Sequence, residues 1–171
     1  QLITDLLDYA RIGRQNIHLG LIPIEAVLSE VIDTLKSEIE ETSAQITLAS
    51  NLPIVAGDRS LLKRIFTNLL GNAILYRQLQ TAPIVQVDSL TASDYAIIRV
   101  IDNGIGIAPE FREKIFNIFQ RLHIQEEYPG TGIGLAIVRK SVELLDGSVW
   151  VENAPQTGSM FCVKLRCRLE R

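Results

Sequence analysis

The sequence has little of what several common protein classes require. It contains 2 cysteines and 2 histidines, which are too few and too scattered for a zinc site. Cys162 and Cys167 would lie on opposite faces of a strand, so they cannot form a local disulfide. This use of cysteine favours a reducing, intracellular setting, and we expect the protein to be cytoplasmic.

Long apolar runs and an excess of one charge are also missing. No run approaches the roughly 18 apolar residues that span a bilayer, and no signal peptide opens the chain, so we expect no direct membrane insertion. The 17 basic and 20 acidic residues give a formal net charge of -3, which argues against a nucleic-acid partner. The only methionine is Met160, and we expect the chain to be a segment of a longer protein.

What is present indicates a folded domain that begins with an amphipathic helix. Hydrophobic residues make up 47% and charged residues 22% of the chain, close to the globular average. Leu2, Leu6 and Tyr9 have helical spacing, and Gly13 marks the end of the helix. The apolar stripe of this helix fits either a hairpin or bundle whose other helix lies outside the sequence, or packing on the adjoining domain.

Hydrophobic patterning over the remaining sequence predicts an α+β fold. The segment 51–58 reads as a turn in which Asp58 caps the following helix. Several helices come early and the strands mostly form hairpins, so we predict a two-layer α/β sandwich with a mixed, mostly antiparallel sheet covered by helices on one face. The predicted strands are 16–22, 46–49, 84–88, 95–101, 148–152 and 160–166, and the predicted helices are 25–41, 59–78, 109–116 and 135–145.

Two short loops hold five of the 11 glycines. DNGIGI (102–107) follows an apolar strand, and PGTGIGLA (129–136) opens a helix. Glycines let backbone N–H groups approach an anion closely, and a helix N-terminus adds donors and a partial positive charge. The second loop is therefore a candidate phosphate cradle, although GxGxG also occurs in plain turns. No GxxxxGK[ST] is present and a Rossmann fingerprint fails at Pro109, so both of those nucleotide motifs are excluded.

Four side chains outside the glycines could complete a nucleotide site. Asp102 could accept a hydrogen bond from the 6-amino group of a purine, or it could hold its own turn. Asn68 and Asn72 share one face of a helix, where their amide oxygens could bind Mg²⁺ or be solvated. Tyr76 continues that row and could cover a base or belong to the core. The order of these residues and the glycine loops along the chain favours a nucleotide site.

These motifs resemble the ATP-binding catalytic domain of sensor histidine kinases, which has the Bergerat fold shared with gyrase, Hsp90 and MutL. The stretch 119–140 is especially similar to phytochrome-type and other cyanobacterial-style kinases. The opening segment, 1–14, resembles the C-terminal end of the dimerisation and phosphotransfer helix, which leaves 15–171 as the catalytic domain. The matching boxes are NLLGNAILY (68–76), DNGIGI (102–107), FNIFQRL (116–122), GTGIGLA (130–136) and TGS (157–159).

The resemblance implies that ATP and Mg²⁺ are the cofactors and gives each motif a role. Asn72 would coordinate Mg²⁺, and Asn68 would act beside it in catalysis, at the metal or the phosphates. Asp102 would bind the adenine amino group. The further nucleotide-binding residues implied are Tyr76, Gly104 and Gly106 at the base and Gly130, Thr131, Gly132, Gly134 and Leu135 at the phosphates.

The resemblance also implies an ATP lid over 117–129. Phe116 and Phe119 would anchor this lid. Arg121 would contact the γ-phosphate from the lid and so take part in catalysis.

Two positions of the asparagine box depart from the usual pattern. Many relatives carry lysine where this chain has Leu75, and an apolar side chain cannot hold a phosphate. That contact would be lost, or it would be supplied by Arg77 or Arg121. Gly71, inside the predicted helix, costs roughly 0.5–1 kcal/mol relative to alanine, which suggests close packing at that position.

The phosphoacceptor histidine motif of the family is missing, because neither His18 nor His123 has the helical context that it needs. We therefore expect the chain to bind ATP and to transfer the γ-phosphoryl group to a histidine on an upstream helix, without phosphorylating itself. The expected partners are the upstream hairpin and sensor domain of the parent protein and the receiver domain of a response regulator. The alternative is a catalytically inactive, nucleotide-binding regulatory module of the same fold. An ATPase clamp of the gyrase or MutL type is disfavoured by FNIFQRL and the opening helix.

Overall fold

The fold combines seven strands and five α-helices over the residues described, 1–122 and 128–169, in a computed structural model. Two short 3₁₀ turns, Pro109–Phe111 and Lys114–Phe116, precede the second glycine loop. In chain order the elements are α1 (Leu2–Ile12), β1 (Gly20–Pro23), α2 (Ile24–Thr34), α3 (Lys36–Thr42), β2 (Gln45–Leu48), β3 (Ile54–Gly57), α4 (Arg59–Leu75), β4 (Ile84–Thr91), β5 (Tyr95–Asp102), α5 (Gly134–Leu144), β6 (Ser148–Asn153) and β7 (Ser159–Arg166).

A five-stranded sheet with the order β2-β4-β5-β7-β6 forms one layer. The pair β2–β4 is parallel, and the pairs β4–β5, β5–β7 and β6–β7 are antiparallel. Along β5, Ala96, Ile98 and Val100 are fully buried, whereas Ile97 and Arg99 are partly exposed on the other face. The helices therefore cover one face, and the predicted two-layer sandwich with a mixed, mostly antiparallel sheet is confirmed.

The long helix α4 is the centre of the helical layer. Leu62, Ile65 and Leu69 are fully buried at the spacing of one helix face, and α4 contacts both α2 and α5. Its N-terminus is capped by Asp58, as predicted, because the Asp58 carboxylate accepts hydrogen bonds from the backbone N–H groups of Ser60 and Leu61 at 2.9 and 3.1 Å. This cap fixes where α4 begins and so sets the position of Asn68 and Asn72, about three and four turns later.

A second, two-stranded sheet was not predicted. β1 and β3 pair antiparallel, so the expectation that 51–58 forms only a turn is wrong. Val55 and Ala56 are buried in β3, but the apolar run is too short between Pro53 and Gly57 to give a strand signal. The predicted strand 16–22 is correspondingly shorter and shifted, because β3 offers only four residues for β1 to pair with.

Three predicted helices differ from the helices observed. The segment 25–41 is divided into α2 and α3 at Leu35, which leaves helical geometry (φ -92°, ψ 12°) while its side chain stays buried. The helix predicted over 59–78 ends at Leu75. The segment 109–116 forms the two 3₁₀ turns, with i→i+3 hydrogen bonds such as Phe111 N–H to Ala108 C=O, in place of an α-helix.

The opening helix α1 packs on α5 through its C-terminal half. Ile12 is fully buried, and the Lys140 ammonium donates to the Tyr9 carbonyl oxygen at 2.9 Å. Large apolar side chains on the rest of α1 stay exposed, among them Ile3 at 74%. One face of α1 therefore packs on the adjoining domain, and another face remains uncovered. Packing on the domain and pairing with a helix outside the sequence are thus compatible. Within 1–122 and 128–169, no helix combines the length and apolarity that a membrane span requires.

Candidate functional site

A cleft of about 260 Å³ opens between the C-terminal half of α4, the loop after β5 and the start of α5. The size is in the range of a small-molecule site, and both glycine loops reach it. Gly104 does not line the cleft but lies behind its wall. The predicted site residues that line the cleft are Asn68, Asn72, Tyr76, Asp102, Gly106, Arg121, Gly130, Thr131, Gly132, Gly134 and Leu135.

Asp102 ends β5 at one end of this cleft with only 8% of its surface exposed. Its Oδ1 accepts hydrogen bonds from the backbone N–H groups of Gly104 at 2.8 Å and Ser159 at 3.1 Å. Burial raises the pKa of the Asp102 carboxyl, and these two hydrogen bonds oppose that rise. Neither hydrogen bond uses Oδ2, so this oxygen can accept a hydrogen bond from an amino group placed in the cleft.

The loop around Asp102 is packed so tightly that two positions require glycine. A Cβ on Gly104 would lie 2.5 Å from the Tyr76 carbonyl oxygen, and a Cβ on Gly158 would lie 2.1 Å from the Asp102 carbonyl oxygen. Gly158 also has a φ of 94°, which side chains disfavour. Gly158 and Ser159 support the site from the β6–β7 turn, and the small TGS match was the sequence signal for them.

Asn68 and Asn72 line the cleft from successive turns of α4. The Asn68 amide donates to the Arg64 carbonyl oxygen at 2.9 Å, which leaves its Oδ1 facing the start of α5. That oxygen would be 2.7 Å from a Cβ on Gly134, so a side chain at this position would displace the Asn68 amide. The two amides thus present neutral oxygen ligands, the type that Mg²⁺ accepts together with phosphate oxygens.

No cluster of three or more His, Cys, Asp or Glu side chains is arranged for a metal in the described ranges. A divalent cation in the cleft would therefore depend on the amide oxygens of α4 and on oxygens of a bound polyphosphate. Such a donor set fits Mg²⁺, which keeps several waters and binds through few protein ligands.

The second glycine loop closes the other end of the cleft. Gly132 has a φ of 77° and lies so near Phe119 that a Cβ would be 3.0 Å from the Phe119 Cα. Its carbonyl oxygen accepts a hydrogen bond from the Phe119 N–H at 2.9 Å. Gly130, Gly132 and Gly134 all line the cleft, so backbone groups form part of this wall, as an anion cradle requires.

Only part of the predicted lid can be described, because 123–127, including His123, lies outside the described residues. Phe116 is buried edge-on against Phe161, with ring centroids 6.3 Å apart, and fits the anchoring role. Phe119 does not, since it is 56% exposed. The prediction that Phe119 anchors the lid is therefore not supported by its side chain, although its backbone N–H is hydrogen-bonded to the second glycine loop.

Tyr128, at the far end of the predicted lid, is buried beside Tyr76. Its ring is 7% exposed and lies 5.3 Å, between centroids, from the ring of Tyr76. The Tyr128 hydroxyl donates to the Arg77 carbonyl oxygen at 3.2 Å, and the Arg121 guanidinium donates to the Tyr128 carbonyl oxygen. Burial raises the pKa of Tyr76, with the Arg121 charge acting in the opposite direction.

Of the two arginines that could replace the lysine missing at Leu75, Arg121 is the better placed to contact a phosphate. Leu75 and Arg121 both line the cleft, whereas Arg77 does not, and its guanidinium instead donates to the Ile74 carbonyl oxygen at 3.3 Å. Gly71 departs from expectation, because a Cβ there would meet nothing within 4 Å. The close packing expected at Gly71 is therefore absent.

Several residues that line the cleft were not predicted from the sequence, and the least expected of them belong to α1. Gln1 and Asp5 of α1 line the cleft, and the Thr131 hydroxyl donates to Asp5 Oδ2 at 2.6 Å. No motif could have indicated this contact, which joins residues at opposite ends of the chain. His18, by contrast, is exposed outside the cleft and donates its backbone N–H to Asp58.

Comparisons with known proteins agree with this arrangement. Residues 57–169 match the family described as histidine kinase-, DNA gyrase B-, and HSP90-like ATPase. The chain is 40% identical over 160 residues to phytochrome-like protein Cph1 of Synechocystis sp. and 41% identical over 160 residues to cyanobacterial phytochrome A of Nostoc sp.. Each match covers 94% of this chain but 21% of the relative, so the chain spans about a fifth of the length of these curated relatives.

Solved structures give the same picture. Full-length ShkA in complex with AMPPNP superposes with a TM-score of 0.82 at 27% identity, covering 99% of this chain and 36% of that chain. The nucleotide-free catalytic domain of histidine kinase ThkA gives a TM-score of 0.75 at 23% identity, covering 90% of this chain and 99% of that chain. The second likeness is one of fold alone.

Proposed function

The chain belongs to the family of histidine kinase-, DNA gyrase B- and HSP90-like ATPases, as the ATP-binding catalytic domain of a histidine kinase, and from this we propose that it transfers the γ-phosphoryl group of ATP to a histidine on a separate helix. The observation that carries the proposal is the shared cleft. Asp102, the paired asparagines and the second glycine loop, far apart along the chain, all line it.

The adenine would bind at the Asp102 end of the cleft. Asp102 Oδ2 would accept a hydrogen bond from the 6-amino group, and Oδ1 is already held by the N–H groups of Gly104 and Ser159. A carboxylate fixed in this way disfavours a 6-keto base, which offers no donor there. Tyr76 and Gly106 would form part of the pocket around the base.

The phosphates would bind between the asparagines of α4 and the second glycine loop. Asn72 would hold Mg²⁺, with Asn68 beside it at the metal or the phosphates, and both present neutral oxygens. Mg²⁺, when bound, neutralises charge on the phosphate oxygens. Gly130, Gly132 and Gly134 let backbone N–H groups approach the phosphates, with Thr131 and Leu135 lining the same wall.

Within this arrangement the chain mainly positions the triphosphate and shields it from water. Phosphoryl transfer needs an aligned acceptor and stabilised charge on the transferred group more than covalent participation by the enzyme. Arg121 is the basic side chain among the described cleft residues, and we assign it the contact with the γ-phosphate that Leu75 cannot make. Its hydrogen bond to the Tyr128 carbonyl oxygen would keep the guanidinium at the cleft edge.

The acceptor and the partners would come from outside this chain. We propose that residues 1–14 are the end of a dimerisation and phosphotransfer helix and that the phosphorylated histidine belongs to the same hairpin in the parent protein. The phosphoryl group would then pass to an aspartate in the receiver domain of a response regulator, in the cytoplasm. The uncovered apolar side chains of α1 support a packing partner for this helix.

Transfer in trans tests the proposal. The chain is mixed with a separately prepared acceptor hairpin from a homologous kinase and labelled ATP with Mg²⁺. We expect phosphohistidine on the hairpin and none on the chain alone. Asn72→Ala should lower the transfer rate by at least about tenfold, whereas Asn51→Ala, at an exposed turn outside the cleft, should leave it unchanged. ATP binding without transfer would support the inactive module instead, and phosphohistidine on the chain alone would contradict the assignment of the acceptor.

A further inference from the structure

The first turns of α1 reach into the cleft where the proposed function places the phosphates. Asp5 Oδ2 accepts the 2.6 Å hydrogen bond from the Thr131 hydroxyl, and Asp5 Oδ1 accepts one from the Gln1 side-chain amide at 2.9 Å. Both α1 residues line the same cleft as Asn68 and Asn72. A carboxylate therefore lies in the region that a triphosphate would need.

The contact is supported by an anchor further along the same helix. The Lys140 ammonium of α5 donates to the Tyr9 carbonyl oxygen at 2.9 Å and lies 4.3 Å from the centroid of the Tyr9 ring. Ile12 is fully buried beside these residues. The C-terminal half of α1 thus holds the helix on the domain, and its N-terminal half places Asp5 against Thr131.

The charges of the cleft make this placement unfavourable for a bound polyphosphate. The described lining residues include two carboxylates, Asp5 and Asp102, and one guanidinium, Arg121. Asp102 lies at the proposed adenine end, so Asp5 is the acidic group next to the proposed phosphates. A like charge in a confined cleft weakens the binding of an anion, and the Thr131 hydroxyl must leave Asp5 before it can donate to a phosphate.

We propose that Asp5 sets the nucleotide affinity of this domain by competing with the terminal phosphates for Thr131 and for the space beside it. This inference rests on the proposed function and adds a regulatory contact to it. Coupling between two binding events is reciprocal. Docking of the N-terminal half of α1 in the cleft therefore lowers the affinity for ATP, and ATP binding in turn releases that half of the helix from the cleft. The anchor at Tyr9 and Ile12 would remain in place.

The charge dependence of the effect separates this inference from a general loosening of the fold. Asp5→Asn keeps the size of the side chain and removes its charge. We expect it to tighten ATP binding by roughly fivefold to tenfold, the lower part of the range for coupled sites. The affinity for ADP should rise less, and the affinity for AMP should stay the same. Asp8→Asn is the matched control, because it makes the same change on the same helix outside the described lining. It should leave all three affinities unchanged.

The outcomes of this calorimetric series are distinct. Equal affinities for wild type and Asp5→Asn would overturn the inference while leaving the proposed function intact. Weaker ATP binding by Asp5→Asn would also overturn it, because Asp5 would then assist the bound nucleotide, for instance through the metal. An equal gain in affinity for ATP and AMP would also overturn the inference, because the effect of Asp5 would then not depend on the terminal phosphates. If neither protein bound any adenine nucleotide, the proposed function itself would fail.

Hydrogen exchange gives a second readout in the unmodified chain. ATP with Mg²⁺ should speed amide exchange in the N-terminal half of α1, whereas AMP should not, and amides near Ile12 should stay protected in both cases. Slower exchange or no change throughout α1 on ATP binding would contradict the coupling.

Discussion

A buried carboxylate lies near each end of α4, and the two carboxylates differ in how their oxygens are used. Asp58, 5% exposed, accepts from the N–H groups of Ser60 and Leu61 and the Ser60 hydroxyl at Oδ1, and from the His18 N–H at Oδ2. Asp102, 8% exposed and close to the other end of α4, accepts two N–H groups at Oδ1 alone.

The pKa values follow from that difference. Burial raises the pKa of both carboxyls, but at Asp58 the hydrogen bonds outweigh burial and the net shift is downward. At Asp102 burial outweighs its two hydrogen bonds and the net shift is upward. A carboxylate whose oxygens are both satisfied stabilises the fold, whereas one that keeps an oxygen free destabilises the apo protein and is available to a ligand. Breaking each site in turn tests this distinction.

The largest expected effect comes from the turn that supports Asp102. Gly158→Ala would place a Cβ 2.1 Å from the Asp102 carbonyl oxygen, at a residue with a φ of 94°. We expect a loss of roughly 3 kcal/mol or more in the free energy of unfolding, from backbone strain and overpacking together. Denaturant unfolding would measure it. A loss below about 0.5 kcal/mol would show that this turn is not tightly packed.

The next largest effect is expected at the satisfied carboxylate. Asp58→Ala removes the cap of α4 and leaves buried N–H groups unpaired, so we expect roughly 2–3 kcal/mol of destabilisation. ATP affinity, measured by calorimetry below the unfolding transition, should change less than about twofold. A large loss of ATP affinity in a folded Asp58→Ala protein would contradict the view that Asp58 stabilises the fold and only Asp102 serves the ligand.

Acidification should change the contributions of Asp58 and Asp102 to the stability of the fold in opposite directions. The folded pKa of Asp58 is lowered, so its stabilisation is present above its unfolded pKa and is lost as pH falls through the folded value. The folded pKa of Asp102 is raised, so protonation favours the folded state as pH falls through that value. Between about pH 6 and pH 3, Asp58→Asn should therefore lose less stability than wild type, and Asp102→Asn should lose more. Parallel pH profiles for all three proteins would contradict the pKa assignments.

The smallest effect is expected at Gly71, in the C-terminal half of α4. A Cβ at Gly71 would meet nothing within 4 Å, so Gly71→Ala should stabilise the protein by about 0.5–1 kcal/mol through helix propensity. ATP affinity should stay the same, which makes this variant a matched control for Gly158→Ala. Destabilisation by Gly71→Ala would reveal a contact that the fold does not show.

Features with a local signature were predictable from the sequence. The Asp58 cap, the face of α4 with Asn68 and Asn72, and the placement of Asp102 at a strand end all follow from spacing or residue type. The sequence also indicated which segments would meet, because the motif order matches that of a known family. The resulting sheet and helical layer agree with the prediction.

Features that depend on tertiary packing were not predictable. The exposure of Phe119 and its backbone φ of 64° are not indicated by the residue type. The buried strand β3 has too few residues for a periodic signal. The contact between Asp5 and Thr131 joins the first helix to a loop near the other end of the chain, and no local pattern encodes it.

The most direct test of the central claim is calorimetric titration of wild type and Asp102→Asn with ATP and Mg²⁺. Asparagine can still accept the two loop N–H groups at Oδ1, but its NH₂ group would face the adenine amino group in place of Oδ2. We predict a loss of affinity of roughly tenfold to a hundredfold, and no loss in Asp94→Asn, an exposed position near the opposite end of β5. Equal affinity of wild type and Asp102→Asn would contradict the assignment of adenine to this carboxylate.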